Sequence, residues 1–199
     1  MDRICNIGVL VSGGGTNLQA IIDSCEKGML KGKARVIAVI SNKRDAYGLE
    51  RARKHGIDAV FVNAQNFESN ARFCEEVVKE LQTRKVALVC LAGYLRMIEP
   101  NMIKAFDGNI LNVHPALLPK YGGAGMYGHK VHEAVLRSRE KESGATVHHV
   151  DEKYDHGKIV IQKKVKVMIS DTPESLAKRV LEVEHKIYPE AILRILEEK

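Results

Sequence analysis

Apolar residues follow two alternating patterns along the first half of the chain. Short continuous apolar runs lie at 7–11, 36–40, 59–62 and 86–91. Runs of this length predict buried strands. Between them, apolar residues recur every three or four positions, as Leu18, Ile21 and Cys25 do, which predicts helices with one buried face. Strands that alternate with helices predict an α/β fold, with a mostly parallel sheet and helices on both faces.

The second half of the chain predicts a loop, two helices and two further strands. Residues 122–128 include four glycines and predict an irregular loop. A helix is predicted at 130–139, strands at 145–150 and 159–167, and a last helix after Thr172. Thr172 is a favourable N-cap, Pro173 suits the first helical position, and Pro189 is expected to kink or divide this helix.

Asn112 and His114 form the most informative polar pair in the sequence. They lie in a predicted short strand, 110–114, and point to the same side because side chains alternate along a strand. Pro115 disfavours a longer strand, so the pair is expected at the strand's carboxyl end, where open α/β sheets bind ligands. A lone histidine there is more often structural. With Asn112 and with Asp155 in a later polar turn, it forms a set suited to acyl transfer, in which an oxyanion is held and a proton moved.

Three consecutive glycines, Gly13 to Gly15, lie between the first predicted strand and the first predicted helix. Glycines let backbone N–H groups approach an anion at the positive end of a helix, so this turn is a candidate phosphate site. Thr16 and Asn17 can add side-chain hydrogen bonds at the helix start. The spacing matches neither a nucleotide triphosphate loop nor a dinucleotide fingerprint, and a merely tight turn is the alternative.

Composition favours a cytoplasmic protein with small anionic ligands. The 199 residues suffice for one sizeable core, so a single domain, 1–199, is expected. The net charge of +6 is dispersed, which favours anionic small molecules over nucleic acid. No apolar run approaches the roughly 20 residues of a membrane helix, and the first strand leaves no room for a signal peptide. The four cysteines are widely spaced in apolar segments, which predicts buried thiols rather than a metal site or disulfides.

Several segments together resemble the phosphoribosylglycinamide formyltransferases, folate-dependent enzymes of purine synthesis. The similar segments lie at 8–13, 41–43, 91–96, 112–119 and 184–189, and so span nearly the whole chain. They include, in order, Asn112-x-His114-Pro115, Asp155-x-Gly157 and Glu184-His185 followed by Tyr188-Pro189. The resemblance implies a Rossmann-like formyltransferase fold. It also implies transfer of the formyl group of 10-formyltetrahydrofolate, the cosubstrate, to the amine of glycinamide ribonucleotide, with no metal.

The resemblance also implies a role for each matching residue. Asn112 and protonated His114 would donate to the oxyanion, and Asp155 would raise the imidazole pKa and assist proton transfer. The residues that bind glycinamide ribonucleotide would be Gly15, Thr16 and Asn17 at its phosphate and Glu184 at its ribose hydroxyls. The residues that bind folate would be Leu95, Arg96, Met97, Ile98 and Asn112, with the pterin also against the turn 151–155. Arg96 would in addition suit the folate carboxylates.

Three features depart from the family pattern. Members often have serine where this chain has Ala116, and often an arginine near Asn70, which Arg72 is a candidate to replace. The loop 122–128 is unusually rich in glycine. These differences concern the folate pocket and its covering loop and leave Asn112, His114 and Asp155 in place.

Alternative functions share the fold. Methionyl-tRNA formyltransferases carry an additional RNA-contacting domain, and formyltetrahydrofolate hydrolases add an amino-terminal regulatory domain, for which the chain is not expected to have space. A hydrolase-like enzyme and a non-catalytic nucleotide- or folate-binding protein are therefore kept as the alternatives. No nucleic-acid or membrane partner is expected, and the chain is expected to be a monomer or a homodimer.

Overall fold

One seven-stranded sheet organises the fold in a computed structural model that describes residues 4–198. The strands are β1 (Cys5–Val11), β2 (Ala34–Ser41), β3 (Asp58–Phe61), β4 (Leu88–Leu91), β5 (Ile110–His114), β6 (Glu142–His149) and β7 (Ile159–Lys166). Their order is β3-β2-β1-β4-β5-β6-β7. Strands β1 to β5 pair in parallel, whereas β6 is antiparallel to both β5 and β7. The mostly parallel sheet predicted from the sequence is confirmed.

Helices cover both faces of the sheet. They are α1 (Thr16–Lys27), α2 (Tyr47–Lys54), α3 (Asn70–Thr83), α4 (Pro100–Phe106), α5 (His129–Arg137) and α6 (Pro173–Glu197). One core cluster joins α1, α2, α5 and α6 to the sheet, and a second joins α3 and α4 to it. In β1, Val9 belongs to the first cluster and Leu10 to the second, as the alternation of side chains along a strand requires.

Two details of the helices differ from the sequence predictions. Helix α4, which begins with Pro100, was not predicted, because its seven residues are too few to show a clear period. Pro189 was expected to kink or divide the last helix, and it does not divide it, since α6 is continuous for 25 residues. A proline removes one backbone hydrogen bond. The fully buried Ile187, Tyr188 and Ile192 on either side of Pro189 pack into the core and hold the helix together.

A crevice lies where the chain changes direction across the sheet. The connection from β1 runs to one side, through β2 and β3, and that from β4 runs to the other, through β5. Ligands bind open α/β sheets at such a switch point, outside the carboxyl ends of the strands. The loops after β1 and β4 are joined there, because Ser12 N donates to Gly93 O at 3.1 Å and Leu95 N donates to Ser12 Oγ at 2.9 Å.

Tyr188 of α6 contacts both β4 and β5, the two strands beneath the crevice. Its side chain is completely buried, and its hydroxyl lies 3.0 Å from both Leu91 O, at the carboxyl end of β4, and Leu111 O, near the amino end of β5. The hydroxyl has one hydrogen to donate, so the two carbonyl oxygens share it. The contact connects α6 directly to the backbone beneath the site.

Replacing Tyr188 with phenylalanine should therefore destabilise the fold. The Tyr188→Phe change removes the donor and leaves two buried carbonyl groups less well satisfied, for which a loss of about 1–3 kcal/mol in the free energy of unfolding is expected. Urea denaturation measures it. The control is Tyr47→Phe, because the Tyr47 side chain is exposed and its hydroxyl accepts from Lys54 Nζ on the surface. Equal losses in the two variants would contradict the role assigned to Tyr188.

Candidate active site

A cavity of about 510 Å³ occupies the crevice. Its walls come from the segment after β4, the end of β5, the loop before α5, the turn after β6, and one side of α6. Asn112, His114 and Asp155 all line it, so the structure brings together the three residues that the sequence singled out. His114 is only 3% exposed, and the Asp155 side chain only 11% exposed, so the groups are largely shielded from water.

The carboxylate of Asp155 connects the polar groups of the cavity. Oδ2 accepts a hydrogen bond from Gly123 N at 3.0 Å and lies 3.4 Å from His114 Nδ1. Oδ1 accepts from Asn112 Nδ2 at 3.3 Å and lies 3.6 Å from His148 Nε2. These contacts outweigh burial, and the pKa of Asp155 is lowered. The group is therefore an anion at neutral pH.

The turn that carries Asp155 has a local backbone requirement. Asp155 adopts a left-handed conformation, with φ of 52°, which aspartate tolerates better than most residues. At Gly157, a Cβ would lie 1.9 Å from His149 O, so only glycine allows the turn to pack this closely on the end of β6. The Asp-x-Gly spacing in the sequence thus has a direct structural cause.

Both ring nitrogens of His114 have defined neighbours. Nε2 lies 2.7 Å from Tyr121 O, which can only accept, so Nε2 carries a proton and Nδ1 is directed at Asp155. The sequence analysis expected Asp155 to raise the pKa of His114. Asp155 does raise it, as expected, and so does the Tyr121 carbonyl. Burial, which the sequence does not show, outweighs both, so the net pKa of His114 is lowered.

His148 is a site residue that the sequence analysis missed. It lies on β6 directly across from Asn112 on β5 and is 2% exposed. Its Nδ1 lies 2.8 Å from His149 O and donates to it, and its Nε2 lies 3.2 Å from Asn112 Nδ2. His148 thus orients the Asn112 carboxamide. The sequence feature that could have identified His148 is its position as a polar residue within the predicted strand 145–150.

The glycine turn leads into α1 with unpaired donors. Gly15 has φ of 68°, and a Cβ there would lie 2.9 Å from Gly48 Cα. Within the described residues, the N–H groups from Gly13 to Asn17 donate to no backbone acceptor. Arg51 Nε donates to Gly14 O at 2.8 Å and so places a cation beside the turn. This combination can bind an anion.

The predicted residues of the glycine turn do not all reach the cavity. Asn17 lines it, whereas Gly15 and Thr16 do not. Glu184 also lines the cavity, and its Oε2 accepts from Asn17 Nδ2 at 2.6 Å. Burial raises the pKa of Glu184, and the hydrogen bond from Asn17 opposes this only in part. The hydrogen-bonded side chains of Asn17, from α1, and Glu184, from α6, therefore lie at one end of the cavity, next to the glycine turn.

The segment after β4 forms another wall. Leu95, Arg96, Met97 and Ile98 all line the cavity, and Leu95 is 55% exposed there. Arg96 is held by a neutral group, since its Nη2 donates to Asn70 Oδ1 at 2.7 Å, and its guanidinium lies 4.8 Å from the centre of the Phe73 ring. Its charge is therefore available to a ligand.

The departures from the family pattern have clear positions. Asn70 also donates to Met97 O at 3.0 Å, so it ties α3 to the cavity wall. Arg72 pairs with Glu75 on the exposed side of α3 and does not line the cavity, so it does not replace an arginine at position 70. Ala116 is fully buried, and its carbonyl accepts from Thr146 Oγ1 at 2.6 Å. The glycine-rich loop 122–128 is irregular, as predicted.

Residues 4–198, which the structure describes, offer neither a metal centre nor a membrane-spanning helix. They contain no group of three or more histidine, cysteine, aspartate or glutamate side chains placed to hold a metal ion. They also contain no helix that is both long and apolar enough to span a membrane.

The chain is similar to known proteins over nearly its whole length. Residues 5–192 match the family described as Formyl transferase. A relative from Escherichia coli (strain K12), "Phosphoribosylglycinamide formyltransferase", is 41% identical over 184 residues, which cover 92% of this chain and 84% of that protein. The Arabidopsis thaliana protein "Phosphoribosylglycinamide formyltransferase, chloroplastic" is 46% identical over 97% of this chain. The chain spans 66% of that plant protein's length.

A solved structure is similar to the same extent. Glycinamide ribonucleotide transformylase 1 from Symbiobacterium toebii has a TM-score of 0.92 and 44% sequence identity. The similarity covers 98% of this chain and 89% of that one. The fold and the sequence therefore lead to the same set of relatives.

The contacts of His114 predict how its protonation responds to Asp155. Asp155→Asn should lower the pKa of His114 further, because the variant removes the negative charge that favours the imidazolium. An NMR titration of the histidine ring signals measures this, with His114→Ala used to assign the signal. Asp151→Asn is the control, since Asp151 lies on the same turn and contacts His156. A His114 pKa that is unchanged or higher in Asp155→Asn would show that the two groups are not coupled as the geometry indicates.

Proposed function

The chain belongs to the formyl transferase family, among its phosphoribosylglycinamide formyltransferases, and we propose that it transfers a formyl group from 10-formyltetrahydrofolate to glycinamide ribonucleotide. The products are formylglycinamide ribonucleotide and tetrahydrofolate, which makes this a one-carbon step of purine biosynthesis. The observation that carries the proposal is the meeting of Asn112, His114 and Asp155 in one shielded cavity. A cavity that holds both substrates makes the reaction effectively intramolecular, worth roughly 7–11 kcal/mol at best.

Asn112 and His114 stabilise the oxyanion in this mechanism. The amine of glycinamide ribonucleotide attacks the formyl carbon, and the formyl oxygen becomes negatively charged. Asn112 Nδ2 and protonated His114 Nδ1 are donors that both adjoin Asp155. Their contacts to Asp155 are long, at 3.3 and 3.4 Å, so either donor can turn to a stronger acceptor. A developing charge in a cavity shielded from water is such an acceptor.

Asp155 stabilises the imidazolium form of His114 and takes part in proton transfer. Burial disfavours the charged imidazole, so an adjacent anion is needed to keep a protonated fraction available. When the tetrahedral intermediate collapses, the bond to N10 of the folate breaks. The proton lost by the attacking amine reaches N10 by way of Asp155 and a water molecule, which balances the reaction.

The ends of the cavity suit the two substrates. The phosphate of glycinamide ribonucleotide binds the backbone of Gly15, Thr16 and Asn17 at the start of α1, and Glu184 accepts hydrogen bonds from its ribose hydroxyls. The unpaired N–H groups of the turn and the buried carboxylate of Glu184 support this placement. Gly15 and Thr16 lie outside the cavity wall, so the phosphate extends past Asn17.

The folate lies at the other end. Its pterin packs against the backbone of 95–98 and the turn 151–155, beside Asn112. The exposed apolar surfaces of Leu95 and Met97 support this placement, since they are suited to a flat ring. Arg96, whose charge is not neutralised by its partner Asn70, binds the folate carboxylates.

The cytoplasm is the proposed compartment, with the chain as one formyltransferase domain in a monomer or homodimer. Free thiols support a reducing environment: Cys74 and Cys90 are buried, and burial raises the pKa of Cys25 to about 11. The plant relative is named as chloroplastic, so the compartment differs among relatives.

The direct test is to incubate the purified protein with both substrates and follow both products by mass spectrometry. Formation of formylglycinamide ribonucleotide together with tetrahydrofolate supports the transferase. Formate release without formylation of the amine would indicate a hydrolase-like enzyme. Binding of either substrate without turnover would indicate a non-catalytic binding protein.

The catalytic residues predict which variants lose turnover. Asn112→Ala should reduce kcat about 10²- to 10³-fold by removing an oxyanion donor. His114→Ala and Asp155→Asn should each reduce it by roughly 10²- to 10⁴-fold, the range for a group that moves or stabilises a proton. Steady-state kinetics with circular dichroism measures the effect on well-folded protein.

A surface variant provides the control for these losses. Asp58→Asn removes a carboxylate that pairs with Arg84 outside the cavity. This variant should keep normal turnover. Normal kcat in a folded His114→Ala or Asp155→Asn protein would refute the assignment.

The glycine turn predicts a selective binding defect. Gly15→Val should weaken glycinamide ribonucleotide binding roughly 10- to 100-fold, the effect of losing a hydrogen bond to a charged group, while folate binding stays nearly unchanged. The added side chain would approach Gly48 Cα and strain a left-handed backbone. Calorimetry measures both affinities. Gly32→Val is the control, because Gly32 has φ of 76° but open space around it. Equal losses for both ligands would place the phosphate elsewhere.

A further inference from the structure

His132 is a buried histidine of the cavity that the mechanism above does not use. It lies in α5, between the buried Val131 and the exposed Glu133, and it is 4% exposed. It lines the same cavity as His114 and Glu184. No matching family motif singled it out in the sequence.

Neither ring nitrogen of His132 has a hydrogen-bond partner among the described residues. Nδ1 is enclosed and unpaired. Nε2 is not among the enclosed atoms, and His132 lines the cavity, so Nε2 is the ring nitrogen that faces it. By contrast, His114 and His148 each have a partner on both ring nitrogens.

A purely structural histidine would not be arranged like this. Buried polar groups are nearly always hydrogen-bonded, because an unpaired one has lost its contacts with water and gained nothing in return. A leucine would fill the same space on α5 without that cost. The unpaired imidazole therefore indicates a partner that arrives with a ligand.

The position of His132 favours one of the two substrates. Helix α5 packs against α6, which contributes Ala177, Leu181 and Glu184 to the cavity wall. This is the end assigned to glycinamide ribonucleotide, whereas the folate end is formed by the segment after β4 and the turn after β6. Asn17 adds an enclosed oxygen, Oδ1, that also has no partner in the described structure.

We propose, on the basis of the proposed function, that His132 binds the glycinamide arm of glycinamide ribonucleotide through Nε2 and positions its amine for attack at the formyl carbon. The arm carries an amide and an amine, which together offer donors and an acceptor to an imidazole. His132 is a substrate-positioning residue in this assignment, and it transfers no proton.

The protonation state of His132 suits this role. Burial, together with the nearby His129 and His114, lowers the pKa of His132 to about 4. The ring is therefore uncharged at neutral pH. An uncharged ring can accept a hydrogen bond from the amine and does not repel the imidazolium that His114 must become.

The test compares two ligands in calorimetry with wild-type, His132→Leu and His132→Gln proteins. Glycinamide ribonucleotide carries the arm, and ribose 5-phosphate keeps the sugar and phosphate but lacks it. His132→Leu should weaken binding of the first about tenfold, which corresponds to one hydrogen bond of about 1.4 kcal/mol. Binding of ribose 5-phosphate should not change. His132→Gln, whose amide can replace Nε2, should recover part of the loss.

Stability measurements and a control complete the design. His132→Leu should unfold at the same or a higher urea concentration than wild type, because it removes an unpaired buried group. Glu133→Leu, with the same new residue on the exposed side of α5 and outside the cavity, should leave both affinities unchanged.

The outcomes separate this inference from the proposed function. Equal glycinamide ribonucleotide affinity in wild type and His132→Leu overturns the inference, and so does an equal loss for both ligands. A wild-type protein that binds no glycinamide ribonucleotide would instead overturn the proposed function itself.

Discussion

The carboxylate of Asp155 is the constraint on which the rest of the site depends. An anion in a shielded cavity is strongly unfavourable unless it is paired and hydrogen-bonded. Gly123 N and Asn112 donate to it, and His148, His114 and the Gly123 hydrogen bond lower its pKa against the effect of burial. Because the same contacts hold the two proposed oxyanion donors and the beginning of the glycine-rich loop, the stability of one charge determines the arrangement of all of them.

Asp155 reaches these partners by an indirect route. Strand β6 runs antiparallel to β5, so Val150 lies beside Ile110 and the chain leaves the sheet at the amino end of β5. The turn then folds back over the cavity until Asp155 contacts Asn112. The turn can fold back because Gly157, which has no side chain, packs closely on His149 O. The position of Asp155 therefore does not depend on the register of the sheet. The register of β5 against β6 fixes Asn112 and His148 relative to each other.

Burial sets the electrostatic character of the whole cavity. It lowers the pKa of His114 and of His132 and raises the pKa of Glu184, so in each case it favours the uncharged form. Asp155 and Asp151 depart from this trend, because hydrogen bonds and nearby positive charge outweigh burial and lower the pKa of both. The same low polarity strengthens the interaction of fixed donors with a charge that develops during the reaction. Unfavourable burial of the resting groups and the proposed stabilisation of the oxyanion therefore have one physical origin.

Local patterns in the sequence determined the strands, the helix start after Gly15 and the pairing of Asn112 with His114, because alternation, caps and turns depend on residues close in the chain. They also indicated Asp155 as a partner, but not its distance. Tertiary structure alone decided the cross-strand contact of His148, the unpaired state of His132, the continuity of α6 through Pro189 and the downward direction of the His114 pKa. Each of these depends on burial and on residues far apart in the chain, which only packing brings together.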